Sequence, residues 1–313
     1  MQATRPEDLS GKVTPDAAPR PKKRPTPGRV VAWAALILFT VITLFPFVWM
    51  LRTAFSSNDA LYTDPTSFLP VGFSWGGFER VFGLQSTEEA IAQGGSGAQL
   101  NFWLYLRNSV IVATGITVCQ VLFSGMAAYA FSRLHWRGRN LVFSIFLLSL
   151  MVPAIFTFLP NFLLIKELGL IDTLLGIMLP TMFMTPFAIF FLRQFFMTVP
   201  VEIEEAAYLD GVSKARAFFT VILPMNTGPI ATISILTYIN AWNDYMWPLM
   251  VSYTDSSRVL NVALGTFRAQ APQTGPDWVG LMAATIVAAL PMLLLFSVFA
   301  RRIVASIAFT GIK

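Results

Sequence analysis

Glu202-Ile203-Glu204-Glu205-Ala206-Ala207-Tyr208-Leu209-Asp210-Gly211, followed by Val221-Ile222-Leu223-Pro224, is the one polar segment of any length between two long apolar runs in the second half of this 313-residue chain. A charged stretch between spans lies outside a bilayer and faces something soluble. Its local grammar is helix, turn, helix. Pro200 suits a first helical turn, where its missing N–H costs nothing, and Glu202, Glu204 and Glu205 sit where the positive end of a helix dipole favours anions. Gly211 can take the left-handed conformation that ends a helix. Ser213 is placed as the N-cap of the next helix, ahead of Lys214, Arg216 and the apolar run from Phe218 onward.

Working outward, composition defines the solvent. Hydrophobic residues are 55% of the chain and charged residues 12%, with a mean hydropathy of +0.62. Soluble domains carry about a quarter charged residues, so this is an integral membrane protein built of helices. The single Cys119 lies in an apolar run, excludes an internal disulfide and is read as packing. The net charge of +5 does not indicate nucleic acid, because the cations gather on one side of the predicted spans.

Residues 1–29 are polar and basic (Arg20-Pro21-Lys22-Lys23-Arg24-Pro25) and read as a disordered tail. Residues 30–51 carry no charge and would form a helix roughly 33 Å long, enough to span and retained rather than cleaved. Residues 52–100 form an outer loop region, and residues 101–313 a core with five further spans. These are predicted at 101–132, 141–160, 174–196 (kinked at Pro180 and Pro186), 221–251 (interrupted at Thr227-Gly228-Pro229) and 278–299. Ser124, Ala128 and Ser132, and again Gly280, Ala284 and Ala288, recur every fourth residue, a spacing that lets helix backbones approach closely in lipid. His135, the only histidine, sits in the basic loop 133–139 and is read as solvated. With six spans, sixteen of the 22 lysines and arginines fall on the side of the two termini and the 198–217 loop, and six on the other. The positive-inside rule therefore places both termini and that loop in the cytoplasm.

Two further stretches bear on function. Gly94 to Gly97 lacks the Lys and Ser or Thr of a phosphate-binding loop, so the chain is not expected to hydrolyse ATP. Nor does it offer a metal-ligand cluster or a nucleophile-base pair. In the outer part of the fifth span lies Asn240-Ala241-Trp242-Asn243-Asp244-Tyr245-Met246-Trp247-Pro248. An intramembrane Asp faces a bundle interior or a wet cavity. Asn240, Asn243 and Asp244 offer partners for hydroxyls, and Trp242 or Trp247 a flat apolar face for a sugar ring. The other reading makes the tryptophans part of the interfacial aromatic belt and pairs Asp244 with a neighbouring helix.

The Glu-Ala-Ala at 205–207, three residues, Gly211, and then Ile222-Leu223-Pro224 resemble the EAA motif of binding-protein-dependent ABC importer permeases. Trp242-Asn243-Asp244 with Trp247-Pro248, Asn108-Ser109 at the second span and the terminal Thr310-Gly311-Ile312-Lys313 are similar to the carbohydrate-uptake branch, the maltose-type second permease. The resemblance runs from residue 30 to 313. It departs at Pro229, five residues after Pro224 where the family more often has four, and in the longer basic tail.

The resemblance implies an all-α, six-span type I importer permease in a bacterial or archaeal cell membrane. Its loop would be a coupling helix docking on a separate ATPase dimer, with Glu202, Glu204, Glu205, Ala206, Ala207, Asp210, Gly211 and Pro224 as the coupling set. Ala206 and Ala207 allow close approach, while Glu205 and Asp210 offer acceptors. Gly311, Ile312 and Lys313 are implied as a secondary ATPase contact. A second permease subunit and an extracytoplasmic solute-binding protein complete the assembly, which would import a sugar or sugar-like solute. ATP and Mg belong to the partner ATPase, and this chain binds no cofactor. The rival reading is an ATP-independent secondary transporter or channel, which would need coupling-ion sites or inverted repeats.

Overall fold

The computed structural model describes residues 27–93, 95, 100–269 and 277–308. The 1–29 tail therefore lies almost wholly outside the described residues. In order, the helices are α1 (Pro27–Ala54), α2 (Gly76–Val81), α3 (Thr87–Ala92), α4 (Phe102–Ser132), α5 (Arg139–Ser149), α6 (Ile155–Glu167), α7 (Leu174–Met178) and α8 (Pro186–Phe196). They continue with α9 (Val201–Leu209), α10 (Lys214–Ala217), a π-helical turn at Phe218–Ile222, α11 (Leu223–Met225), α12 (Thr227–Asn243), α13 (Met246–Val251), α14 (Leu260–Ala269) and α15 (Trp278–Ala308). The described residues contain no strand.

The chain divides into two units, residues 1–47 and 48–313. In the first, the described part of α1 exposes its Val, Leu, Ile and Phe side chains all round. A helix apolar on every face belongs in lipid. In the second, α4 is the central strut, packed along α8 and α12. Ser124 and Ala128 are fully buried there, as the four-residue spacing predicts, and the Ser124 hydroxyl accepts the N–H of Thr185 at 3.2 Å. The second small-residue stripe also faces inward: Ala284 is fully buried and Ala288 nearly so. Here α2 seats on α15 through Gly77, where an added Cβ would lie 3.0 Å from Val279 Cγ1. Asn108 and Ser109 stitch α4 to the segment before α14. The Asn108 amide donates to the carbonyls of Ser256 and Arg258, and Ser109 Oγ accepts Leu260 N–H.

Among the described residues three helices, α1, α4 and α15, are long and apolar enough to cross a bilayer unbroken. The other three expected spans are divided. The third breaks into α5 and α6 around Pro153, which cannot donate to a helical bond and disfavours helix in the residue before it. The fourth was expected as one kinked helix, yet Pro180 follows the end of α7 and Pro186 opens α8, with Thr185 capping Ala188 N–H at 3.4 Å. A proline at the first helical position starts a helix rather than bending it. The fifth breaks at Asn226, just before the predicted Thr227-Gly228-Pro229, and again at Asp244 and Tyr245. Such breaks survive at membrane depth only where neighbouring groups or a wet cavity satisfy the freed backbone.

Candidate functional site

The 202–211 stretch forms α9, with Pro200 (φ −57°, ψ 133°) immediately before its first turn and Glu202 and Glu204 within that turn. Its end is a Schellman motif. Val212 N–H donates to the Ala207 carbonyl and Gly211 N–H to that of Tyr208, both at 3.0 Å, with Gly211 at φ +82°. Ser213 then caps α10 by accepting Arg216 N–H at 3.4 Å. The chain turns by 82° from α8 into α9, and by 85° from the 214–225 segment into α12. Thus α9 lies across the ends of the helices that carry it.

Glu202, Glu205, Ala206, Asp210 and Gly211 are exposed, and Leu209 is 90% exposed. Ala207 is half-buried. Glu204, expected in the coupling set, is turned inward and 3% exposed. The reason is Arg133 at the end of α4, whose Nε lies 2.9 Å from Glu204 Oε1. Arg133 Nη2 also donates to the carbonyls of Phe196 (2.5 Å) and Val199. Tyr208 OH donates to Glu204 Oε2 at 3.2 Å and lies 3.0 Å from Tyr129 OH. Tyr129 packs on Phe218, the first residue of the π-helical turn. One buried ion pair therefore ties α9 to α4, to the end of α8 and, through the two tyrosines, to the segment entering α12. Sequence reasoning counted Arg133 only for topology; its signal was its position one residue past a small-residue stripe.

Pro224 is exposed in α11 and borders an apolar groove of about 530 Å³ with Val121, Leu122, Leu223 and Ile230. It shapes the turn into α12 rather than joining the exposed face of α9. Gly311, Ile312 and Lys313 lie outside the described residues.

The second site is a cavity of about 570 Å³ between α4, α8, α12 and the turn after α7. Asn240, Asn243 and Asp244 line it, as the sequence suggests, beside Gln120, Thr181, Thr237 and Phe187. Asn240 is exposed, and its side chain makes no hydrogen bond among the described residues. Asn243 donates to the carbonyl of Ile239 at 2.8 Å. Asp244 closes α12 in extended backbone (φ −64°, ψ 130°) and, among the described residues, makes no ion pair with a neighbouring helix.

Trp242 and Trp247, read as sugar platforms or belt residues, are neither: each is 6% exposed. Trp242 stacks on Tyr238 at 6.0 Å, and Trp247 Nε1 donates to the Ile177 carbonyl at 3.1 Å. A large ring with one polar atom is best buried where that atom finds a partner. The ring bordering the cavity is Phe187. Gln120 is the polar residue missed: its Nε2 donates to Thr181 O at 2.7 Å and its Oε1 accepts from Thr237 Oγ1 at 2.8 Å. An amide in mid-span was the available signal.

Broken helices around a polar cavity, with a short, largely exposed helix at the bundle end, define the class: a multi-pass solute permease. The family model for "Binding-protein-dependent transport system inner membrane component" matches residues 120–308, and the chain belongs to that family. The chain is 30% identical over 278 residues to the diacetylchitobiose uptake system permease protein NgcG of Streptomyces coelicolor, covering 88% of this chain and 86% of that one. It is 29% identical to the trehalose/maltose transport system permease protein MalG of Thermococcus litoralis, over 91% and 97% of the two chains. It is 32% identical to the sn-glycerol-3-phosphate transport system permease protein UgpE of Pectobacterium atrosepticum, over 83% and 88%.

Among solved structures, a chain of a bacterial ABC transporter involved in the import of the acidic polysaccharide alginate superposes with a TM-score of 0.74. The identity is 23%, over 87% of this chain and 95% of that one. The expected type I importer permease fold is thereby borne out.

Proposed function

We propose that the chain is one permease half of an ATP-driven importer that moves a sugar or sugar-like solute into the cytoplasm. The observation that carries this is a polar cavity joined, through α4, to an exposed helix at the bundle end. Gln120 in the cavity wall lies within α4, and Arg133 at the root of α9 caps the end of the same helix. The names of the relatives, which include permeases for diacetylchitobiose and for trehalose and maltose, support the solute class.

In this reading α9 seats in a separate ATPase dimer, which binds the ATP and Mg, with Glu202, Glu205, Ala206, Ala207, Asp210 and Gly211 as the docking face. Gly311, Ile312 and Lys313 add a second contact. A sister permease closes the other side of the cavity, and an extracytoplasmic binding protein delivers the solute. Both termini are cytoplasmic. ATP binding draws the ATPases together and carries α9 with them; α4 and α12 move in turn, shifting the population between outward-open and inward-open states.

Purification through a C-terminal tag with mass spectrometry of bound proteins tests the assembly, and solute uptake into proteoliposomes tests its work. A stoichiometric ATPase and ATP-dependent uptake of a sugar are expected, with a raised KM in Asn240→Ala. Uptake without any ATPase would overturn the proposal in favour of an ion-coupled transporter or channel.

A further inference from the structure

The last turn of α1 carries a buried cation that has no counter-ion among the described residues. Arg52 is 4% exposed. Its Nε donates to the Ser67 carbonyl at 3.1 Å and its Nη2 to the Asp64 carbonyl at 2.7 Å, while the guanidinium carbon lies 5.0 Å from the centroid of the Trp49 ring. Both acceptors are neutral. The Asp64 carboxylate is engaged by the Thr66 hydroxyl, and no acid among the described residues lies within ion-pair distance of Arg52.

Two other buried arginines are treated differently. Arg80 and Arg133, each with 8% of the side chain exposed, are given Asp277 and Glu204 at 3.1 and 2.9 Å. Burying a guanidinium without an anion is costly, so the missing charge at Arg52 calls for an outside donor.

The space for one is present. Arg52 borders a cavity of about 400 Å³ whose walls include Trp49, Tyr62, Trp278, Leu61 and Met282. One cation, one phenol and a largely apolar remainder suit a ligand with an anionic head and an apolar body. The position says which. At about 1.5 Å per residue α1 is roughly 42 Å long, longer than a hydrocarbon core of about 30 Å, so its last turn reaches headgroup level. Trp and Tyr are the side chains that favour that boundary.

We infer that this cavity binds the phosphodiester headgroup of an anionic phospholipid, with Arg52 as the charge partner and Trp49, Tyr62 and Trp278 around the glycerol region. The proposed orientation of the chain enters only in assigning the site to the outer leaflet.

The test is native mass spectrometry of the assembled complex in detergent, titrated separately with phosphatidylglycerol, phosphatidylcholine and inorganic phosphate. It reads no transport, so failure of the import reading would leave it unaffected. One phosphatidylglycerol should bind per chain in preference to phosphatidylcholine, whose choline competes for its own phosphate. Inorganic phosphate at millimolar concentration should not displace it. Arg52→Gln should weaken phosphatidylglycerol binding roughly ten- to a hundredfold, the factor expected for a hydrogen-bonded charge, and Arg52→Lys should restore part of it. Should Arg52→Gln not assemble, the wild-type lipid preference and the phosphate competition still decide. Equal binding of the two lipids, an unchanged Arg52→Gln, or a cavity covered by the sister permease would overturn the inference. Displacement by inorganic phosphate would make the site one for a free anion and overturn the lipid assignment.

Discussion

Replacing Glu204 with Gln should loosen the seat of α9 and separate ATP hydrolysis from solute movement. The Arg133 and Glu204 side chains are 8% and 4% exposed, so removing the acid strands a cation in surroundings that screen it poorly. Breaking one partner of such a pair costs about 3–5 kcal/mol. Gln keeps the shape and one acceptor, and Arg133 retains the carbonyls of Phe196 and Val199. The expected loss falls accordingly to about 1–3 kcal/mol, the range for hydrogen bonds to charged groups. That is roughly 5- to 150-fold in the equilibrium between seated and unseated α9.

Two measurements read it. Amide hydrogen exchange across residues 201–209 should quicken, and the complex in proteoliposomes should hydrolyse more ATP per solute moved. Arg133→Gln should have a similar effect, and the double variant should be scarcely worse than either single one, because the second change removes a charge that has already lost its partner. Additive effects, or an unchanged ratio of ATP to solute, would refute the claim that this pair transmits force.

Three further outcomes are expected. Gly211→Ala should cost about 1 kcal/mol in thermal unfolding, since no atom lies within 4 Å of an added Cβ and only the left-handed backbone at φ +82° is penalised; a much larger loss would point to packing not seen here. Gln120→Leu should destabilise the complex by about 1–3 kcal/mol, because it strands the Thr181 carbonyl and the Thr237 hydroxyl, and should raise the solute KM; an unchanged KM would separate this cross-link from the cavity's function.

Asp172, in the loop before α7 at φ +63°, is pushed upward by desolvation, but hydrogen bonds from Ser257, Thr254 and Tyr253 outweigh that and hold its carboxyl well below the usual 3.8. A depressed folded value means that its stabilising contribution is fully present above about pH 4 and is lost as pH falls through the folded value. Asp172→Asn should therefore lower the unfolding temperature at pH 6 and flatten its fall toward acid, whereas parallel wild-type and variant profiles would contradict the assignment.

Much of the molecule can be read along the chain because the relevant physics is local. The apolar lengths of α1, α4 and α15, the four-residue spacing of Ser124, Ala128, Gly280 and Ala284, and the Pro200-to-Gly211 helix with its cap each depend on neighbours within a few turns. So does the class of protein, since Glu-Ala-Ala and Gly211 keep their spacing within one helix and its turn. What one-dimensional reading could not supply is which polar group meets which across helices. Glu204 and Glu205 are adjacent and chemically equal in sequence, yet one is buried on Arg133, 71 positions away, and the other is exposed. Trp242 and Asn240 lie in one cluster, and only the packing of Tyr238 and Ile177 turns the tryptophans into core and leaves the asparagine to the cavity. The same holds for Arg52, whose lack of an acid among the described residues is visible only once the chain has folded around it. Side-chain direction on a helix depends on what the neighbouring helices present, and that is a property of the assembled bundle.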